Sequence, residues 1–168
     1  MFFSAEYGVK VTSSDPVEPR FFNTGCSLAV LLKFMEDKVV ADLKIEIDQR
    51  RKEEKKQLEW LKQLSSSDAG LLREIETETN AREALLTQLD ELTAKVGTLN
   101  YIDLCYSDSP TAKLNLDRTS NEVAYTALAA RSRTFVMGAL GESSDLVPLA
   151  FEVPKVSRSS QVASLMTN

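Results

Sequence analysis

The sequence predicts an α+β domain interrupted by a long antiparallel helical hairpin, and three observations predict it. β-favouring segments rich in Phe, Tyr and Val stand towards both ends of the 168-residue chain. Neither Pro nor Gly occurs between Cys26 and Ala69, which leaves a long stretch free of helix breakers. Two helical patterns then flank one Ser-rich break, and their apolar stripes match. The length suits a single domain with an elaboration, and an apolar fraction of 43% is ordinary for a globular protein.

The first segment predicts a β-hairpin. Phe2, Phe3, Ala5 and Tyr7 are apolar or aromatic, and Gly8 follows where a turn can begin. Thr12-Ser13-Ser14-Asp15-Pro16 is a cluster of turn formers, after which Arg20-Phe21-Phe22 resumes the β-favouring pattern. The next segment is helical from about Ser27 to Gly97 with one break. Asn23, Thr24 and Ser27 are candidate N-caps, and Leu28, Leu31, Leu32, Met35 and Val39 follow at helical spacing. Leu43, Ile47, Leu58, Leu61 and Leu64 continue the stripe. Ser65-Ser66-Ser67-Asp68-Ala69-Gly70 ends it, with Ser67 or Asp68 placed to cap the second helix. That helix repeats in heptads, with Ile75, Arg82, Leu89 and Val96 at one seam position and Glu78, Leu85, Leu92 and Leu99 at the other. Gly97 is placed to end it.

A short connection favours an antiparallel pair in which each helix covers the other's stripe. Counting outward from the break sets Leu64 against Leu71, Leu61 against Ile75, Ile47 against Leu89, Leu43 against Leu92 and Val40 against Val96. The residue numbers of every pair sum to 135 or 136. The same register sets Glu54 opposite Arg82, a charged layer that costs stability but aligns the helices. Residues 40–64 would make a stalk of roughly 37 Å beyond a globular core.

After the hairpin the β pattern returns. Tyr101 to Tyr106 alternates, with Tyr101, Asp103 and Cys105 on one side and Ile102, Leu104 and Tyr106 on the other. Ser107-Asp108-Ser109-Pro110 reads as a turn, Lys113 to Leu116 as a short strand, Glu122 to Ala130 as a turn or two of helix, and Arg133 to Leu140 as a further strand. Phe3, Leu28, Leu32, Met35, Ile102, Leu104 and Val136 are the expected core. From Gly141 onward the chain reads as mostly loop, ending in a patternless tail from Ser157 to Asn168. Within it Ser144 to Val156 is too apolar for a solvated linker, while Pro148 and Pro154 bar it from the interior of a regular element. Leu146, Leu149, Phe151 and Val153 are therefore candidate docking residues, buried either in this protein's own core or in a neighbour's groove.

The order strand, strand, helix, strand, strand, short helix, strand is that of the ubiquitin-like β-grasp fold, with the main helix lengthened and doubled back. Phe22-Asn23-Thr24-Gly25-Cys26 followed by Leu31-Leu32 forms an F-N-x-x-C-x-x-x-x-L-L motif. Together with Ile102-Asp103-Leu104-Cys105, it resembles a family of ubiquitin-like proteins linked to motile cilia and flagella. The resemblance covers residues 1–35 and 99–140, and the hairpin at 36–98 departs from the family pattern. It implies a split β-grasp domain, a hairpin insertion, a C-terminal docking segment and tail at 141–168, and a ciliary or flagellar setting. It transfers no catalytic residue.

The composition argues against catalysis. There is no His for general acid–base work. Cys26 and Cys105 lie in apolar contexts without a base and read as reduced, buried thiols, so neither a disulfide framework nor a zinc site is expected. Asp103 and Asp108 read as a strand edge and a turn former, and no G-x-G-x-x-G or G-x-x-x-x-G-K cradle for phosphate occurs. No cofactor is expected. The ending Leu165-Met166-Thr167-Asn168 lacks the Gly-Gly of a conjugated modifier. The start Met-Phe-Phe-Ser-Ala-Glu lacks a basic signal-peptide region, and no apolar run reaches membrane-spanning length. A net charge of −5, with 15 acidic and 11 basic residues between Glu36 and Thr98, gives no nucleic-acid footprint.

What remains is protein contact. Arg50, Arg51, Lys55 and Lys56 belong to the one basic concentration, either a solvated helix face or a contact for an acidic surface such as tubulin. Trp60 either covers the edge of the hairpin seam or anchors a partner. The expectation is a structural, scaffolding component of a cytoskeletal assembly, the axoneme of a cilium or flagellum, located in the cytoplasm. Its partners would be other proteins of that assembly, with neither nucleic acid nor membrane among them. The alternative is a soluble adaptor whose ubiquitin-like domain binds a small GTPase or a peptide motif and whose hairpin dimerises it.

Overall fold

A computed structural model describes residues 2–11, 16–64, 68–106, 113–128 and 133–164. It is a mixed α/β structure built on two long helices and a mixed sheet. The strands are β1 (Phe2–Glu6), β2 (Gly8–Lys10), β3 (Pro19–Asn23), β4 (Leu99–Cys105), β5 (Arg133–Leu140), β6 (Leu146–Pro148) and β7 (Ala150–Glu152). The helices are α1 (Leu28–Gln63), α2 (Ala69–Gly97), α3 (Ala124–Ala127) and α4 (Ser160–Ser164). The expected turns at Thr12–Asp15 and Ser107–Pro110 lie outside the described residues. So do the break residues Ser65–Ser67, the end of the short helix at 129–130 and the final residues 165–168.

The main sheet runs β3-β1-β5-β4, with β6 paired to β5 beyond the point where β1 ends. β1 pairs antiparallel with β3 (Phe3 opposite Phe22) and parallel with β5 (Ser4 opposite Arg133), and β4 pairs antiparallel with β5 (Ile102 opposite Gly138). The period-2 alternation then decides which side chains meet the helix. Phe3, Ala5, Phe22, Ile102, Leu104 and Val136 lie in one buried cluster with Leu28, Leu32 and Met35 of α1, so all seven expected core residues are found together. Phe3 and Phe22 stack with ring centroids 5.7 Å apart.

Ser27 caps α1, its hydroxyl accepting from Val30 N–H, and Asp68 caps α2 by accepting from Gly70 and Leu71 N–H. Gly97 is still helical, and the stop comes one residue later at Thr98, whose hydroxyl and N–H both turn back to the Lys95 carbonyl. The two long helices pair antiparallel as counted. Leu61 and Ile75 share one buried cluster against which Leu64 and Leu71 pack, and Glu54 receives a hydrogen bond from Arg82. Arg82 also donates from Nε to Glu78 Oε1 at 3.0 Å, while Arg50 reaches Glu54 at 2.9 Å. Arg82, Glu54 and Glu78 in this layer are buried while Arg50 closes it at the surface, and Glu78 Oε2 and Arg50 Nε are left without hydrogen-bond partners. Desolvation without full pairing makes it an alignment device more than a source of stability.

Four expectations are corrected. Lys113 to Leu116 is not a strand but a single bridge from Lys113 to Cys105, because Asn115 adopts a φ of 49° and turns the chain away. Asp103 lies on the edge strand as expected but is buried, its carboxylate capping that turn by accepting from Asn115 and Leu116 N–H. Cys26 is half-buried, although Cys105 is buried and both thiols are free. The largest correction concerns the C-terminal segment, which is neither loop nor bare tail. β6 pairs with β5, β7 pairs parallel with β2, and α4 seats Val162 beside Leu61 and Ile75. Leu149 is 1% exposed and, with Val153, belongs to the main core. The two prolines are accommodated because Pro148 ends β6 and Pro154 comes after β7. This strap runs along the hairpin, and α1 crosses residue 35 without interruption, so residues 40–64 do not form a bare stalk.

Two glycines make the strap possible. Gly141 takes φ 66° at the turn between β5 and β6, where a side chain would be strained. At Gly138 a Cβ would stand 2.6 Å from Leu99 Cδ1 and 2.8 Å from Leu149 Cδ2, so only glycine lets both leucines close on β5.

This packing has two measurable consequences. Ending the chain at Glu142 removes Leu149 and Val153, each worth roughly 1.5–3 kcal/mol of burial, from a fold whose whole stability is about 5–15 kcal/mol. Thermal unfolding followed by circular dichroism should show a large drop in midpoint, and an unchanged midpoint would mean the strap is not part of the core. Arg82→Ala, which strands two buried carboxylates, should cost about 3–5 kcal/mol in denaturant unfolding. Replacing the layer together (Arg82→Met, Glu54→Leu, Glu78→Leu) should recover that loss.

Candidate protein-docking surface

At 100° per residue, α1 carries a second stripe opposite the buried one. Val30, Phe34 and Ile45 on it are 59%, 57% and 54% exposed, and Ala41 between them is exposed as well. The stripe runs about 22 Å along the helix at 1.5 Å per residue. Further along the same face come Lys52, Lys55 and Lys56, with Lys44 at its side, all exposed. Other basic residues of α1 are matched by acids. Lys33 lies 3.0 Å from Asp37, Lys38 2.6 Å from Asp42, and Lys62 2.8 Å from Glu83 across the hairpin. Among the described residues Lys44, Lys52, Lys55 and Lys56 have no such partner. The free face of α1 is thus apolar at one end and at the other carries lysines without an ion pair, with Asp48 and Glu59 exposed among them.

The structure separates the basic residues singled out from sequence. Arg50 and Arg51 are half-buried and engaged within the protein. Arg50 pairs with Glu54, and Arg51 donates to Thr93 at 2.7 Å and stands 3.0 Å from Asp90, the latter an ion pair too bent for a hydrogen bond. Lys55 and Lys56 remain on the open face. Trp60 covers the seam edge, packed against the Leu61 cluster with the Arg158 guanidinium 5.4 Å above its ring. Leu149 and Val153 are withdrawn as partner contacts because they are buried in the chain's own core. Leu146 and Phe151 are half-buried in the same strap. Sequence reasoning missed Val30, Phe34, Ile45 and Lys44, and placed Lys52 in the basic cluster without singling it out. Their signal was present in the i, i+4 spacing off the core stripe.

A polar clasp on the opposite side of α1 holds the helix against the strands. Asp42 of α1 accepts from Tyr7 Oη at 2.8 Å and Arg20 Nη1 at 2.9 Å, with Lys38 on its other oxygen, while Glu46 accepts from Val9 N–H at 2.8 Å and from Arg20. Burial, then the bond to Asp42, pushes the Tyr7 hydroxyl far above its ordinary range. Burial also opposes ionisation of Asp42, but the hydrogen bonds from Lys38 and Tyr7 and the Arg20 charge outweigh it, and its carboxyl is held below the usual value. A tyrosine kept protonated beside an aspartate kept ionised is a structural lock, not an acid–base pair poised near neutrality.

A groove of about 580 Å³ between α2 and the strap is lined by Glu74, Glu78 and Val156, but Glu74 is engaged by Ser159 and Glu78 by Arg82. Among the described residues no cluster of three or more His, Cys, Asp or Glu could hold a metal, and no helix is long and apolar enough to cross a membrane.

The clasp makes stability depend on pH. Because the folded Asp42 carboxyl titrates below its unfolded value near about 3.9, its contribution is present above that pH and disappears as acidification protonates it. Asp42→Asn should therefore destabilise the protein at pH 7, and the gap to wild type in denaturant unfolding should narrow below about pH 4. A gap independent of pH would rule out the ionised clasp. Compared with protein-family models, curated proteins and solved structures, the chain matches none of them.

Proposed function

We propose that this chain is a non-catalytic structural component of a cytoskeletal assembly, the axoneme of a cilium or flagellum, and that it docks on a partner through the free face of α1. The observation that carries this reading is the open face itself, where exposed apolar side chains lead into lysines without partners. Such a face complements an acidic protein surface offering an apolar anchor, and tubulin is the acidic partner the setting implies. Desolvating Ile45 and Phe34 supplies affinity, while the lysines supply orientation and encounter rate. A ubiquitin-like β-grasp core is part of the proposal. Its support is the sheet order, in which β1 lies parallel to β5 and the long helix crosses between β3 and β4. The adaptor alternative needs a hairpin that dimerises, and it draws less support because the seam is already filled from within by Leu61, Ile75 and Val162.

The test is detergent extraction of ciliated cells expressing the tagged full chain. Wild type should remain with the insoluble cytoskeleton, and the triple variant Lys52→Glu, Lys55→Glu, Lys56→Glu should be released. Each exposed position should change stability by about 0.5 kcal/mol or less, about 1.5 kcal/mol for the three. Wild-type protein that extracts freely would refute the structural reading, and a retained triple variant would remove the α1 face as the contact.

A further inference from the structure

Strand β3 closes one side of the main sheet, and among the described residues no strand pairs with its outer edge. Open edges are ordinarily blunted by lysines, inward charges, prolines or bulges, since they template pairing with other chains. β3 has little such protection. Pro19 stands only at its first position, and its single charged residue, Arg20, is turned back to Asp42 and Glu46. The residues around the edge are apolar instead. On the face away from α1, Phe21 is 72% and Phe2 57% exposed, diagonal neighbours in the β1–β3 register. On the helix side, Phe34 packs edge-on against Phe22 at 6.3 Å, and Val30 lies one turn earlier on α1.

We propose that this edge accepts an extended segment of another protein as an added strand, its side chains falling alternately on the Phe21–Phe2 face and the Phe34–Val30 face. The geometry favours an uncharged, alternately apolar segment. Of the charged groups beside the edge, Lys33 is matched by Asp37 and Lys38 by Asp42, while Glu18 stands exposed just before the strand. Main-chain hydrogen bonds would supply binding that is independent of sequence, and the two aromatic faces would select side chains at alternate positions. Size argues for a short segment over a second copy of this chain. Phe2, Phe21 and Phe34, exposed by 57%, 72% and 57%, offer together roughly 400 Å² per copy, so two copies would bury about 800 Å², short of the 1,200–2,000 Å² that a stable association between folded domains buries. This contact shares Phe34 with the apolar end of the α1 face but uses none of its lysines, so variants of Phe21 and of the lysines tell the two apart.

A phage-displayed library of random peptides about nine residues long, roughly 30 Å extended, panned against the full chain provides the test. Enriched peptides should carry apolar residues at alternate positions. A synthetic consensus peptide should lose about tenfold or more in affinity with Phe21→Ser and be unaffected by Lys55→Glu with Lys56→Glu. N-methylation of alternate backbone amides should abolish binding in one parity and spare it in the other, a readout that needs no protein variant. The proposal is overturned by no enrichment, by equal sensitivity to both methylation sets, or by indifference to Phe21→Ser. It is equally overturned if the chain elutes as a dimer that Phe21→Ser separates, since the edge would then belong to a second copy.

Discussion

The structure depends on one uninterrupted helix that must satisfy two different neighbours. Over its first five turns α1 buries Leu28, Leu32, Met35 and Val39 with the sheet's inner face, and over its last turns it buries Leu58 and Leu61, the latter with Ile75 of α2. The two surfaces form a continuous environment because Leu43, Ile47, Leu85 and Leu89 join the main cluster midway. A break anywhere between residues 28 and 63 would uncouple them, and the absence of Pro and Gly from that span is the sequence correlate of the constraint. The strap completes the arrangement by placing Leu149 and Val153 in the main cluster and Val162 in the distal one.

Polar groups in this fold are placed where they determine alignment. The Arg82 layer forces Glu54 and Glu78 to meet at one height, which excludes a slip of the hairpin by one turn at a cost in desolvation. The clasp of Tyr7, Arg20, Asp42 and Glu46 does the same between α1 and the strand ribbon. Gly8 stands close beside it, where a Cβ would lie 3.0 Å from Glu46 Oε2. Apolar packing alone tolerates such sliding, because aliphatic side chains are nearly interchangeable at helical spacing.

With its interior polar groups committed to architecture, the molecule is left with surfaces. The free face of α1 and the edge of β3 meet near Phe34, so one end of the domain can carry two contacts of different chemistry, one charged and one built from main-chain hydrogen bonds. That economy suits a component joining neighbours within an assembly.

Much of this was legible in the order of residues. Periodicity alone located α1 and α2, their register was countable from Leu61 with Ile75 down to Glu54 with Arg82, and β5 was readable from Arg133 to Leu140. These are local or quasi-local properties, set by 3.6-residue and two-residue repeats and by short connections. The strap was not legible, because three-residue strands such as β6 and β7 have no periodicity of their own and exist only where β5 and β2 offer edges. Asp103 read as a strand edge and nothing more, since its burial depends on a turn twelve residues away. The docking surface obeyed the same rule. The 3.6-residue repeat places the lysines and arginines of α1 on different sides, but only the tertiary structure showed that Arg50 and Arg51 meet Glu54 and Asp90 while Lys44, Lys52, Lys55 and Lys56 have no ion-pair partner among the described residues.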